Sequence, residues 1–326
     1  MSNLRGFHKE KGGSPEDARH EVSNMKAVAE AVAPLKVGRI IPSTDTPERK
    51  AGMWIDQQVE LSKKDGVLTL VKEVGPVLAR ALLNRNDGNR KVSDQIVTAY
   101  ARDMANDAWR FNGEPIIVSS DGKLNDGQHR CEAIIRSDRE IQALLVIGVG
   151  RDTRTTLDQG KTRTVGDFLA MEGYSNTNQI GIIASMAWQY VTLGRMAINS
   201  RERPTKSEIL AFVEDHPNII QSHSTCYRKG VHMVGGIAAV STAHWIFTQR
   251  AGKSAADEFV FALIEGANLK SGNPILYVRN RLVIEGRRLR AADRMELLIK
   301  AWNSHRAKQT VRAYSISGGA LPKVAR

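Results

Sequence analysis

Two kinds of hydrophobic spacing divide the chain. From Lys36 to about residue 160, short apolar runs of strand length alternate with amphipathic stretches; beyond residue 163 apolar positions recur at helical intervals. In the first region Val37–Ile41 and Gly66–Val74 are strand-like, Val77–Leu83 is helical, and Asn84–Lys91 is a polar loop. Ser93 is placed to cap a helix running to about Trp109, whose apolar positions Ile96, Val97, Tyr100, Met104 and Trp109 keep roughly helical spacing. Ile116–Val118 and Ala143–Ile147 are apolar runs bounded by turn residues, the pattern of buried strands. In the second region Thr164 with Asp167, Thr205 with Glu208 and Ser254 with Asp257 have capping-box spacing, and each introduces an apolar run. Ile180–Val191, Gly236–Gln249 and Met295–Trp302 continue the helical pattern, with Pro204, Pro217 and Pro274 at helix edges. The expected class is α+β: a small mixed sheet with helices, then an all-α C-terminal domain.

Composition sets the outer bounds. The 326 residues are 41% hydrophobic and 25% charged, which is globular and long enough for two domains. The Gly-, Lys- and Glu-rich start predicts a mobile segment over 1–34, with a short helix at Ala27–Ala33. Domains are expected over 35–162 and 163–326. With Cys131 and Cys226 as the only cysteines, no disulfide framework is implied and a reducing cytoplasm is expected. The N-terminus has no apolar signal core, Met1-Ser2 offers no myristoylation glycine, and no window approaches eighteen consecutive apolar residues, so no membrane partner is expected.

Charge is unevenly placed. The net charge is +12, and residues 277–326 hold 12 Lys or Arg against 3 Asp or Glu, which accounts for nine of it. Arg279, Arg281, Arg287, Arg288, Arg290 and Arg294, continued by Lys300, Arg306, Lys308 and Arg312, form the kind of basic stripe that follows a phosphate backbone. DNA is therefore the expected macromolecular partner, against the alternative of a solvated helix face.

The richest chemistry lies at Asn125-Asp126-Gly127-Gln128-His129-Arg130, between the strand candidate Pro115–Val118 and the amphipathic segment Cys131–Arg136. Gly127 lets the chain turn without a Cβ penalty, so that following amides can converge on an anion. A helix opening at Gln128 would add unpaired N–H groups and the positive end of its dipole, while His129 and Arg130 add side-chain donors. Three roles are open to Asp126: capping the helix, orienting Arg130, or holding a divalent cation against the ligand. An ordinary Asp-Gly hairpin turn is the competing reading. Further along, Asp158-Gln159-Gly160-Lys161-Thr162-Arg163-Thr164 sets Lys161 and Arg163 before a capped helix start, as a second phosphate contact or as an interdomain hinge. It is not a Walker A loop, because Thr155 stands where the first glycine is required. Asn84, Arg85 and Arg90 make a third polar cluster, which alone reads as a turn.

Asp126-Gly127-Gln128-His129-Arg130, with Asn112-Gly113-Glu114-Pro115-Ile116 before it and a helix after it, resembles the ParB/sulfiredoxin superfamily, especially ParB-like proteins of phages and other mobile elements. The resemblance extends upstream through Asn84-Arg85 and Asn89-Arg90 to Ala101-Arg102-Asp103-Met104, and downstream to Leu157–Thr164, covering about residues 65–190. It implies a ParB/sulfiredoxin-like nucleotide-binding domain, a nucleoside triphosphate ligand (CTP or ATP) with Mg2+, and a loop in which Gly127, Gln128, His129 and Arg130 grip phosphates. Asn84, Arg85 and Arg90 would then lie across the ligand, with Asp126, His129 and Arg130 as the catalytic candidates and Asp126 on the metal. Sulfiredoxin carries its catalytic cysteine directly before the His-Arg pair, where this chain has Gln128, so sulfinic acid reduction is not expected. There is no clear counterpart of the second phosphate motif of chromosomal ParB proteins and no convincing helix-turn-helix. The implied function couples nucleotide binding or hydrolysis to DNA binding or cleavage, and a homodimer is compatible with it. Nuclease activity comes from the resemblance alone, since no two-metal carboxylate cluster is apparent. The alternative is a kinase-like phosphotransferase acting on a small molecule or modified base, with Asp126 or Glu132 assisting and Arg130 steadying charge.

Other candidates are weaker. His223, Cys226, His232 and His244 match no compact zinc spacing. His216 precedes Pro217 as a turn residue. Trp188, Trp245 and Trp302 fall on apolar helical faces, as core residues do.

Overall fold

The structure, a computed structural model, describes residues 46–157, 163–286 and 288–326. The N-terminal segment 1–34, the helix at Ala27–Ala33, the strand at Val37–Ile41, and the candidates Lys161 and Arg287 lie outside the described residues.

The first half holds helix α1 (Pro47–Asp65), strand β1 (Leu68–Val74), α2 (Pro76–Leu83), α3 (Asp94–Ala105), β2 (Pro115–Ser119), β3 (Leu124–Asp126), α4 (Gln128–Ser137) and β4 (Ile141–Val149). The strands form one sheet in the order β1-β4-β2-β3. β1 runs antiparallel to β4, β2 parallel to β4, and β2 antiparallel to β3. The β2–β4 pair is parallel because α4 makes the crossover between them, and this crossover places the start of α4 at the end of β3. In β4 the alternate residues Ile141, Ala143, Leu145 and Ile147 are buried, the period-two pattern of a strand with one face on a core. They pack with Ile55 and Val59 of α1, Leu78 and Leu82 of α2, Val97 and Met104 of α3, and Ile134 of α4.

A second core is entirely helical. It is built by α5 (Val165–Met171), α6 (Thr177–Leu193), α7 (Lys206–Asp215), α8 (Asn218–Cys226), α9 (Ile237–Ala251), α10 (Lys253–Glu265), α11 (Pro274–Glu285) and α12 (Ala291–Arg306). Phe247 stacks on Trp302 with ring centroids 4.2 Å apart, and Phe259 meets both edge-on. Burying such a ring is worth about 1.5–3 kcal/mol. The protein is thus α+β, with a four-stranded mixed sheet followed by a helical C-terminal part.

The capping boxes at Thr164/Asp167 and Thr205/Glu208 form, each with both reciprocal hydrogen bonds. The one expected at Ser254/Asp257 does not: α10 starts after Gly252, and the Asp257 carboxylate is drawn instead to His244 at 2.8 Å and Lys253. α3 is shorter than its apolar spacing suggests. It ends at Ala105, and Trp109 reaches the core from the following loop, edge-on to Tyr100. α1 and β3 are elements the apolar pattern did not indicate.

α3 also joins the two cores. Thr205, the cap residue of α7, donates through its hydroxyl to Asp103 Oδ1 at 2.7 Å, and Arg102 reaches Glu208 at 3.3 Å and the Arg203 carbonyl at 2.6 Å. Burial pushes the Asp103 carboxyl above its usual range, with the Thr205 and Ser207 hydroxyls and Arg102 opposing the shift.

Candidate anion-binding site

At the end of β3 the chain turns through Gly127 at φ +101°, then enters α4 at Gln128. Glycine is required here twice over. The left-handed conformation disfavours any Cβ, and a Cβ would stand 2.9 Å from Ile116 Cγ1. No side chain caps α4, so the amides of its first turn have no partner within the helix. Of the three roles open to Asp126, the geometry is that of a partner for Arg130: the two side chains pair at 2.8 Å.

Beside this corner is a pocket of about 520 Å³. One wall is the loop Gly88, Asn89 and Arg90; the second is Asn125, Asp126 and Gln128; the third is the 3-10 turn Arg151–Thr156, contributing Arg151, Asp152 and Arg154, with Leu157 beyond it. The walls are tied together by amide side chains. Asn89 Nδ2 donates to the Leu124 carbonyl (2.7 Å), Asn86 Nδ2 to Gln128 Oε1 (3.1 Å), and Gln128 Nε2 to the Arg90 carbonyl (2.9 Å).

Two guanidiniums complete the frame. Arg151 donates to Asn125 Oδ1 at 3.1 Å and to the carbonyls of Leu124 and Asp87; Arg154 donates to the carbonyls of Gly88 and Arg151 and to Asn89 Oδ1. Every one of these acceptors is neutral. Both side chains are therefore fixed in position, while among the described residues no carboxylate pairs with either at contact distance. Such a charge, with oriented amides nearby, suits an anion carrying several oxygens.

The expected site residues divide. Arg90, Asp126 and Gln128 line the pocket, and Gly127 makes its corner. The side chains of His129 and Arg130 do not line it, contrary to their expected role as phosphate donors. His129 is buried, and its Nε2 accepts from the Ser93 main-chain N–H at 2.9 Å. Arg130 is turned to Asp126, to the Pro115 carbonyl at 2.7 Å and towards Glu114 at 3.9 Å, because strand pairing has brought those acceptors beside the first turn of α4. Arg85 also points elsewhere: it pairs with Asp56 at 2.8 Å and donates to the Gly52 carbonyl, so it holds α1. Asn84 is an exposed residue at the end of α2. Arg163 is exposed just before α5, and its carbonyl accepts from Lys206. Glu132, the assisting carboxylate of the phosphotransferase alternative, is not among the pocket residues. Arg151 and Arg154 were not anticipated. The available signal was their spacing of three directly after the β4 run.

A smaller cavity of about 290 Å³ lies between α1 and the start of α2. Its lysine, Lys72, stacks over Trp54 at 4.8 Å, and Glu73 and Glu140 line the same space, which leaves it no excess of positive charge.

Much of the basic stripe is engaged within the protein. Arg281 pairs with Glu285 at 3.1 Å and Arg290 with Asp293 at 2.9 Å; Arg279 donates to the Ile264 carbonyl and Arg294 to those of Gly286 and Gly235. Arg288 is exposed. The zinc candidates do not converge, and among the described residues no group of three or more His, Cys, Asp or Glu is arranged to hold a metal ion. His244 is instead buried between Ser222 (2.9 Å) and Asp257 (2.8 Å). Trp245 and Trp302 are buried in the helical core, and Trp188 packs against it. Among the described residues no helix is long and apolar enough to cross a membrane.

No protein-family model, no curated protein and no solved structure matches the chain.

Proposed function

We propose that the chain is a ParB-like, DNA-associated protein of the cytoplasm that binds a nucleoside triphosphate, CTP or ATP, by its phosphates in the pocket beside Gly127. The observation that carries this reading is the pair Arg151 and Arg154, two guanidiniums held by neutral oxygens at the rim of that pocket. Each charge-assisted hydrogen bond to a phosphate contributes about 1.5–3 kcal/mol. Gln128, the first residue of α4, and Arg90 line the other two walls, so the positive end of the α4 dipole lies beside the pocket. A volume of about 520 Å³ lies within the range of small-ligand sites, about 300–1,000 Å³.

Asp126 and Asp152 are the carboxylates lining the pocket; Asp126 is paired through Oδ2 with Arg130 at 2.8 Å, and its other oxygen and Asp152 would hold Mg2+ if the ion accompanies the nucleotide. Mg2+ would neutralise phosphate charge and take its remaining ligands from phosphate and water. The reading is one of binding, with nucleotide occupancy coupled to DNA association. The imidazole at the corner is engaged at Nε2 with Ser93, which favours a gripping role for the loop over proton transfer.

Titration calorimetry of the full chain with CTP, ATP, GTP and inorganic triphosphate, each with and without Mg2+, tests the proposal. Saturable binding at one site per chain is expected for at least one nucleotide. Absence of binding across the whole set refutes it.

A further inference from the structure

The positive charge near the C-terminal end of the chain gathers in one place that linear order does not reveal. After α12 the chain folds back along the helical core. Leu321 and Val324 are buried, Trp302 Nε1 donates to the Ala325 carbonyl at 3.0 Å, and Asn303 Nδ2 donates to the Lys323 carbonyl at 2.8 Å. Arg306 Nε donates to the Arg326 carbonyl at 3.0 Å. The return thus sets Lys323 beside the last turn of α12, which ends at Arg306, with Lys308 two residues beyond it. On the other side, the Val311 amide donates to the Gly272 carbonyl at 2.9 Å, and Thr310 packs on Gly272, which sets the segment carrying Arg312 against the loop that carries Lys270.

Lys270, Arg306, Lys308, Arg312 and Lys323 are all exposed; Arg306 is held by the Arg326 main-chain oxygen, and none of the other four has a carboxylate partner within salt-bridge distance among the described residues. Glu258, whose charge reaches His305, borders the corner from α10. This contrasts with Arg281 and Arg290, which pair with Glu285 and Asp293, and with Arg279 and Arg294, which are only half-exposed. Cations at a helix C-terminus also complement the helix dipole, but that needs one or two charges, within the last turn. Five exposed charges on converging segments exceed it.

We propose that this corner, rather than the arginines of α11 and the start of α12, is the surface that contacts the phosphate backbone of duplex DNA. The inference rests on the DNA-associated reading above and gives it a location. A phosphate backbone is the complement to a row of lysine and arginine side chains with no acidic partner, and neutralising them releases counterions from the duplex. An anionic membrane surface is less well matched, because residues 303–326 present no large exposed apolar side chain to insert.

The test is fluorescence anisotropy of a labelled mixed-sequence duplex with the full chain over a salt series. Two double variants, K308A/K323A and K270A/R312A, are compared with Lys64→Ala, an exposed charge at the end of α1; circular dichroism checks that each variant is folded. Each double variant is expected to bind at least tenfold more weakly and to flatten the log–log salt dependence by about two units, roughly 0.9 per lost phosphate contact. Lys64→Ala should match the wild type. If the wild type binds and both double variants keep its affinity and slope, this placement is wrong while the DNA reading stands. If the wild type binds phosphatidylserine vesicles but no duplex, or neither, the placement and the DNA reading fall together.

Discussion

The main-chain N–H of Ser93 donates to Nε2 of His129 across 2.9 Å, so the imidazole in the first turn of α4 also closes the start of α3. Ser93 makes no side-chain cap of its own. An accepting Nε2 puts the ring proton on Nδ1 in the neutral form. Replacing His129 by Ala leaves a partly buried amide without its partner, which costs about 1–3 kcal/mol. The expected outcome in denaturant unfolding is a lowered midpoint, with nucleotide affinity reduced less than by loss of Arg151. Unchanged stability together with lost binding would show that His129 touches the ligand.

Gly127→Ala forces a side chain into the left-handed region and against Ile116. The strain is about 1–3 kcal/mol. Thermal melting should fall, and a crystal or NMR structure of the variant should show the start of α4 displaced from β2. A variant as stable as the wild type would contradict the geometry of the corner.

Cys131 and Cys226 are buried, and desolvation pushes both thiols up to about 12. Neither should react with iodoacetamide at pH 8 in the folded protein, and both should react after unfolding, as mass spectrometry can count. Rapid native labelling of Cys131 would mean that the first turn of α4 opens in solution.

Local signals were readable from the chain and convergent ones were not. The boxes at Thr164 and Thr205 depend on residues three apart and formed as expected, and β4 shows the alternation its apolar run implied. β3 escaped notice because three residues with one buried aliphatic side chain carry no period. α1 exposes Met53 and Leu61, which blurs its apolar face. In the site, the turn at Gly127 was readable because glycine geometry is local. The roles of His129, Arg130 and Arg151 depend on Ser93, Pro115 and Asp87, partners at least fifteen residues away that only the fold brings near.

Glu202 accepts from both terminal nitrogens of Arg195, at 2.7 and 2.9 Å, and from the Ile198 amide. The Arg195 guanidinium, helped by that amide, holds its carboxyl at about 2, well below the ordinary 4.5. A depressed folded value means stabilisation that is full above pH 4.5 and is lost as pH falls towards 2. Glu202→Gln should therefore melt below the wild type at pH 6, and the difference should vanish near pH 2. A difference independent of pH would assign the effect to packing.

The central claim is that the arginines of the 3-10 turn, and not Arg130, grip the anion beside Gly127. Its most direct test is calorimetric affinity for the best-bound triphosphate in Arg151→Ala, Arg154→Ala and Arg130→Ala, each confirmed folded by melting. Losing a charged donor at about 1.5–3 kcal/mol corresponds to roughly ten- to a hundredfold weaker binding for the first two. Arg130→Ala should lower stability more than affinity. Wild-type affinity in Arg151→Ala and Arg154→Ala, with binding abolished in Arg130→Ala, would contradict the account.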